Sequence, residues 1–296
     1  ETAKWVKRAK TDAERTITYD PDGRPEVANL LGLLSLTTGE DPEVAALARA
    51  WDGKIDRKIA KRGTMTTPYG VTQRGMADQL VEVVMGRTQE DGTPYLGADV
   101  SLPKACSYLS KLLYDCVGEV VVAARQGMAW LQEAAEAISE EGKLIKWTAP
   151  SGFVCFQRYE ECNLLRIAFF WGTSKVRTTC QEEIEDTINV RKNRAGIAPN
   201  FIHSLDASHL MATVLACGKA DIVDWSLVHD SFGTHCTGID VMQQVLRETF
   251  VAQYQGHVLD QLRTQLVKDS GVELPPVPPQ GTLRLQDVRY SRYFFC

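Results

Sequence analysis

Apolar positions recur mostly at three- and four-residue intervals along the chain, the pattern of helices with one buried face. Residues 43–51 and 74–85 read this way, the second with Met76, Leu80, Val83 and Val84 on one side. Ser101-Leu102-Pro103 opens a longer helical tract to about residue 138, since proline suits a first helical turn. Val121, Ala124, Met128, Leu131 and Ala135 share a face of it, and a break is expected near Gly118. Further helices are expected over 202–217, with Leu205, His209, Ala212 and Leu215 recurring, from Ile239 with Val241, Val245, Phe250 and Tyr254 on the apolar side, and over 259–267. Residues 1–16 read as a charged, amphipathic helix.

Strand signals are fewer. Segments 143–148 and 153–158 flank Ala149-Pro150-Ser151-Gly152, a turn composition, and predict a hairpin. Residues 164–170 read as a strand or buried run, 181–195 as loop or exposed helix, and 222–236 as a second hairpin. Pro275-Pro276-Val277-Pro278-Pro279 cannot be helical and reads as a stiff spacer. The terminal Tyr290, Tyr293, Phe294 and Phe295 are expected to dock, because a free end would expose apolar surface. The fold class is α+β, mainly helical.

Composition narrows the classes. The 296 residues are 44% hydrophobic and 24% charged, enough to bury a core and unlike a disordered or collagen-like chain. No apolar run approaches the roughly 18–20 residues of a membrane span. Thirty-three Lys and Arg against 38 Asp and Glu leave a net charge of -5, so any nucleic-acid surface must be a local patch. The densest basic stretch is Lys54, Arg57, Lys58, Lys61 and Arg62. None of the eight cysteines forms a CxxC pair, so they read as reduced, mostly buried thiols of an intracellular, reducing compartment.

Three constellations carry candidate chemistry. Arg57, Lys61, Met65 and Tyr69 recur every four residues and form a slowly drifting stripe on a helix. Two cations, a thioether and a phenol suit a nucleotide laid along that face, with phosphates on Arg57 and Lys61, and Gly70 leaving room for close approach. A solvated basic face with Tyr69 against the core is the ordinary alternative. Pro68 removes a helical hydrogen bond, so the helix is expected to bend or reset at Thr67. Second, Ser226-Leu227-Val228-His229-Asp230-Ser231-Phe232-Gly233 places His229-Asp230 at a hairpin bend, presenting a hard oxygen ligand of the kind magnesium takes; an ordinary turn aspartate is the alternative. Third, Gly196-Ile197-Ala198-Pro199-Asn200-Phe201-Ile202-His203-Ser204 reads as a proline-led helix start with His203 in its first turns.

Taken in this order, these segments resemble the single-subunit phage-type, also mitochondrial-type, DNA-directed RNA polymerases. The stripe from Arg57 to Gly70, with Arg62, looks like their fingers-helix motif B, Gly196 to Ser204 like the segment entering the second palm helix, and His229-Asp230-Ser231-Phe232-Gly233 like motif C. Related DNA polymerases usually follow His-Asp with Glu, and Ser231 favours the RNA-making branch. The resemblance implies right-hand polymerase fingers over 1–203, the second half of the palm with a motif C β-hairpin over 204–260, and a C-terminal segment packed on the palm over 261–296.

It also implies roles. Asp230 would bind the catalytic magnesium ions. Lys61 would contact the incoming triphosphate, Arg57 its phosphate oxygens, and Arg62, Met65 and Gly70 would complete the nucleotide pocket. Tyr69 would take part in choosing ribose, with His203 on the minor-groove side, and His229 would support Asp230 or touch the RNA 3′ end. Template DNA, RNA product and NTPs are the implied partners, with no membrane. The motif A context that carries a second aspartate in the family is not found: Asp20 and Asp22 lie in a Pro/Gly turn, and Asp206 sits on the helix after His203. The expectation is therefore a C-terminal portion or split subunit, two magnesium ions whose site is completed by a carboxylate not in this chain, and an N-terminal polymerase subunit or segment. A phage-infected bacterial cytoplasm is favoured over an organelle. A non-catalytic nucleic-acid-binding or scaffold subunit with the same fold is the alternative function, and a DNA polymerase or primase relative and an unrelated helical protein are weaker ones.

Overall fold

The computed structural model describes residues 42–89, 92–291 and 294; the segment read as a helix over 1–16, the turn with Asp20 and Asp22, and Tyr293 and Phe295 lie outside them. The described chain is mainly helical, with three antiparallel two-stranded hairpins, and divides into two units at Arg125 and Gln126.

The first unit contains α1 (Pro42–Trp51), α2 (Arg57–Thr66), α3 (Gln73–Met85) and α4 (Leu102–Val120). Their apolar stripes meet in one core that includes Trp51, Ile59, Met76, Leu80 and Leu109. The Trp51 indole N–H donates to the Ala105 carbonyl at 2.9 Å, so its polar end is satisfied inside the core. The expected break in the long helical tract falls at Val121, whose φ of -106° and ψ of 50° leave the helical region. Helix α5 (Val122–Glu140) resumes at once. Val120 and Val122, on either side of the break, are both exposed.

The second unit holds β1 (Ile145–Thr148) and β2 (Val154–Gln157), then β3 (Cys162–Trp171) and β4 (Ser174–Glu183), helix α6 (Val190–Gly218), β5 (Ser226–Val228), β6 (Ser231–Gly233), α7 (Ile239–Tyr254) and α8 (Val258–Ser270). The β1–β2 hairpin turns Ile145 and Trp147 inward against Trp130, Ile138, Ile197, Phe201, Leu262 and Leu266. A smaller cluster of Cys217, Ile222, Met242 and Leu246 has Phe232 of β6 packed on it.

Several expectations are corrected. Helix α6 begins at Val190, capped by Asn189 Oδ1 accepting from the Lys192 amide at 2.9 Å, and Pro199 lies inside it rather than at its start. Burial of Ile197, Ala198 and Phe201 around the proline keeps the helix going despite the lost N–H. Strand β4 was absent from the sequence pattern: both faces of its hairpin are exposed, so no alternation of apolar and polar positions marks it. On α7 the buried stripe is Met242, Leu246 and Val251, one residue along from the expected Val241 and Val245. Leu215 on α6 is exposed, as are Cys180 and Cys236. The polyproline segment is pinned rather than spacer-like, because prolines keep carbonyl acceptors: Trp130 Nε1 and Arg263 Nε donate to the Pro275 carbonyl at 3.1 and 2.9 Å. Docking of the terminus holds for Phe294, edge-on to Phe250 with centroids 4.7 Å apart, whereas Tyr290 points to solvent.

Candidate nucleotide and nucleic-acid site

In the first unit α2 starts on Asp56, whose Oδ1 accepts from the Ile59 amide at 2.9 Å. Arg87 grips the same carboxylate, with NH1 to Oδ2 at 2.8 Å and NH2 to Oδ1 at 3.3 Å. Burial opposes ionisation of Asp56 but is outweighed by the Arg87 hydrogen bond, the Ile59 amide and the Arg87 charge, so its carboxyl lies below the usual range. This anchors the helix start. Ile59, Gly63 and the following Thr67 turn inward, which leaves Arg57, Lys61 and Met65 exposed on the opposite face. The expected stripe is therefore a surface feature, available to a ligand. Arg62 departs from it and pairs with Glu82 of α3 at 2.7 Å.

The helix resets where Pro68 predicts. Residues Thr67–Tyr69 tighten into a 3-10 turn, and Gly70 closes it at φ 87°, a left-handed conformation that favours glycine. Gly70 N–H donates to the Thr67 carbonyl and Val71 N–H to the Thr66 carbonyl. Half-buried Tyr69 thus leaves the surface on a tightened turn after the exposed face of Arg57, Lys61 and Met65.

In the second unit β5 and β6 pair in register Ser226↔Gly233, Leu227↔Phe232 and Val228↔Ser231, so His229 and Asp230 are the two turn residues. His229 sits at φ 52°, an uncommon conformation for a non-glycine residue that this tight turn imposes. Asp230 is exposed at the tip. On α6, His203 and Asp206 are three residues apart, on neighbouring parts of one helix side. The Asp206 carboxyl has its pKa raised, chiefly by burial and also by the negative charge of Asp230, with the His203 and His209 imidazoles opposing. Asp206 thus lies within electrostatic reach of both His203 and Asp230, while its side chain remains exposed. The sequence pattern does not single out Asp206; its spacing from His203 is the available signal.

His209 underpins this group. It is buried, its Nε2 is 3.0 Å from the Leu246 carbonyl and 3.1 Å from Thr249 Oγ1, and its ring stands edge-on to Phe232 and Phe250. Burial lowers its pKa, which favours a neutral ring. The side chain thus connects α6 and α7 to the strand that follows Asp230.

Magnesium takes hard oxygen ligands, and Asp230 with Asp206 nearby supplies carboxylates of that kind. Among the described residues no group of three or more His, Cys, Asp or Glu converges to hold a metal ion, so these two fit part of such a site. No described helix is long and apolar enough to cross a membrane.

Comparison with known proteins places the chain. The family model of DNA-dependent RNA polymerase matches residues 26–271. The chain belongs to this family, the single-subunit phage-type RNA polymerases. It is 35% identical over 272 residues to DNA-directed RNA polymerase 2A of Nicotiana tabacum, covering 90% of this chain and 78% of that protein. It is 36% identical over 272 residues to DNA-directed RNA polymerase 2B, chloroplastic/mitochondrial, of the same plant, and 34% identical over 276 residues to DNA-directed RNA polymerase 1, mitochondrial, of Arabidopsis thaliana. Each of these matches covers 90% of this chain, which spans 26% and 27% of those two longer proteins. Membership in this family removes the DNA polymerase and unrelated-protein alternatives.

Proposed function

We propose that the chain is the C-terminal catalytic portion of a DNA-directed RNA polymerase, transferring nucleotides from NTPs to an RNA 3′ end on a DNA template. The observation that carries this reading is what each unit of a chain of this family presents: in the first an exposed Arg57, Lys61 and Met65 face leading to the Tyr69-Gly70 turn, and in the second Asp230 at a hairpin tip within electrostatic reach of Asp206. In this reading residues 1–203 act as fingers, 204–260 as the second half of the palm and 261–296 as the C-terminal segment. Arg57 and Lys61 bind triphosphate oxygens, with Lys61 opposing charge that builds as the bond to pyrophosphate breaks. Arg62 joins them by exchanging its exposed Glu82 pair for phosphate. Met65, Tyr69 and Gly70 shape the sugar and base pocket, and His203 faces the minor groove. Asp230, held by its turn and by His229, is the residue that would hold magnesium, which when bound neutralises phosphate charge during displacement. A further carboxylate comes from an N-terminal polymerase portion.

The long β3–β4 hairpin supports a nucleic-acid partner. Its register places Arg166, Phe170, Lys175 and Arg177 on one exposed face, a mixture of cations and an aromatic ring suited to phosphates and bases. The chloroplastic and mitochondrial names of the relatives favour an organelle, and the expected phage-infected bacterial cytoplasm finds no support in them.

RNA synthesis from a promoter template tests the reading, with the 296-residue chain alone and with the N-terminal portion of the tobacco polymerase 2B added. Magnesium-dependent synthesis is expected with the addition. Robust synthesis by the chain alone overturns the need for a partner, and none in either case favours the scaffold alternative. Lys61→Ala should lower turnover of the completed enzyme by about 100-fold or more with little change in template affinity; loss of affinity alone would make Lys61 a phosphate anchor.

A further inference from the structure

The β3–β4 hairpin leaves the second unit by two legs, and both are tied to one end of α6. Asn193, Gly196 and Asn200 recur at three- and four-residue intervals and so line one side of that helix. Gln157, 2% exposed at the end of β2, donates through Nε2 to the Asn193 carbonyl at 2.7 Å. Asn200 donates through Nδ2 to Gln157 Oε1 at 3.0 Å and to the Tyr159 hydroxyl at 3.2 Å. The Tyr159 ring lies over Gly196, where an added β-carbon would stand 2.8 Å from ring carbon Cε2. Glycine is what lets the ring settle there. The return leg closes on the same residue, as Asn189 N–H donates to the Tyr159 carbonyl at 2.7 Å while its side chain caps α6.

Beyond this base the hairpin is exposed along both strands. Ten residues per strand extend it by roughly 33 Å. At that length a tilt of about 10° at the base carries the tip about 6 Å. Small changes at the base thus decide where the tip stands.

We propose that Tyr159, Gly196 and Asn200 are positioning residues that fix the direction in which the hairpin leaves the body, and with it the placement of the face bearing Arg166, Lys175 and Arg177. The use of that face rests on the polymerase reading; the lock itself stands on contacts within the second unit. It explains why a chain with so polar a run between Asn189 and Asn200 buries Asn193 and Gln157: their hydrogen bonds join β2 to the helix at the point where the hairpin departs.

The test measures the distance between nitroxides carried on non-natural amino acids at Lys175, near the tip, and at Lys268, exposed on α8. The full chain should give one narrow distribution. Gly196→Ala, which displaces the ring, and Asn200→Leu, which removes both donors, should each shift the mean by about 5 Å or double the width. Tyr159→Phe keeps the ring, loses the hydroxyl and should broaden the distribution less; it decides the matter if either other variant fails to fold. Unchanged distances in every variant that is folded by circular dichroism would overturn the proposal. Polymerase activity enters none of these readouts, so failure of the polymerase reading leaves the result interpretable.

Discussion

Two hairpins of the second unit make a useful contrast. β5–β6 has three-residue strands and β3–β4 has ten-residue strands, and each turns through two residues. The short one carries Phe232, which packs on the His209 ring and the Cys217–Ile222–Met242–Leu246 cluster, so one strand of the hairpin is backed close to its turn. The long one has solvent on both faces and is anchored only at its foot among the described contacts. Packing behind a turn suits a residue that must hold reacting atoms within a fraction of an ångström. Reach suits a surface that must meet an extended ligand. In the proposed reading the same local pairing serves opposite demands, set by what lies behind it.

The largest expected effect is at the short turn. Asp230→Asn keeps a turn-forming side chain of the same shape but removes the charge, so turnover of the completed polymerase should fall by about 1000-fold with the melting temperature unchanged. An active Asp230→Asn enzyme would remove the turn from the chemistry. Next is the backing itself: Phe232→Ala should cost about 1–3 kcal/mol in urea unfolding, whereas Phe170→Ala on the long hairpin should stay within about 0.5 kcal/mol. Equal costs would erase the contrast.

A pH experiment sharpens it further. Burial disfavours the charged ring of His209, so its folded pKa lies below the ordinary imidazole value of 6.5. Below that pH the unfolded chain takes up a proton that the folded chain resists, and stability should fall as pH drops from 7.5 through 6.5. Asp206, with its raised pKa, works in the opposite direction, which makes the comparison with a variant necessary. Thermal melts of His209→Gln should show a shallower decline over that range than the wild type; parallel curves would count against a neutral, buried His209. The smallest effect is at the long hairpin. Arg177→Ala should reduce the salt slope of template binding by about one phosphate contact, roughly 0.9 in log–log terms, with no effect on unfolding. An unaltered slope would take Arg177 off the nucleic-acid surface.

Much of this arrangement was legible in advance, and the failures share a cause. Pro68 announced the reset of α2 because its backbone preferences act locally. His229-Asp230 between apolar runs announced the short hairpin for the same reason. Pro199 misled because its local penalty was outweighed by Ile197, Ala198 and Phe201 packing around it. Strand β4 was missed because a strand exposed on both sides carries no periodic mark. Asp206 was passed over because a helix position states a neighbour three residues away but not the charge of a hairpin that folds against it.

The order of residues by itself determined the mainly helical class, the breaks at Pro68 and near Gly118, the exposed cation stripe and the family, since each follows from local backbone rules or from motif identity. Tertiary structure decided which hairpin is backed by packing, that Asp206 shares the field of Asp230, and that Gly196 and Asn200 meet Tyr159 at the foot of the long hairpin. Those depend on side chains distant in sequence meeting in space, where burial, charge and hydrogen bonding act over a few ångströms that no sequence spacing records.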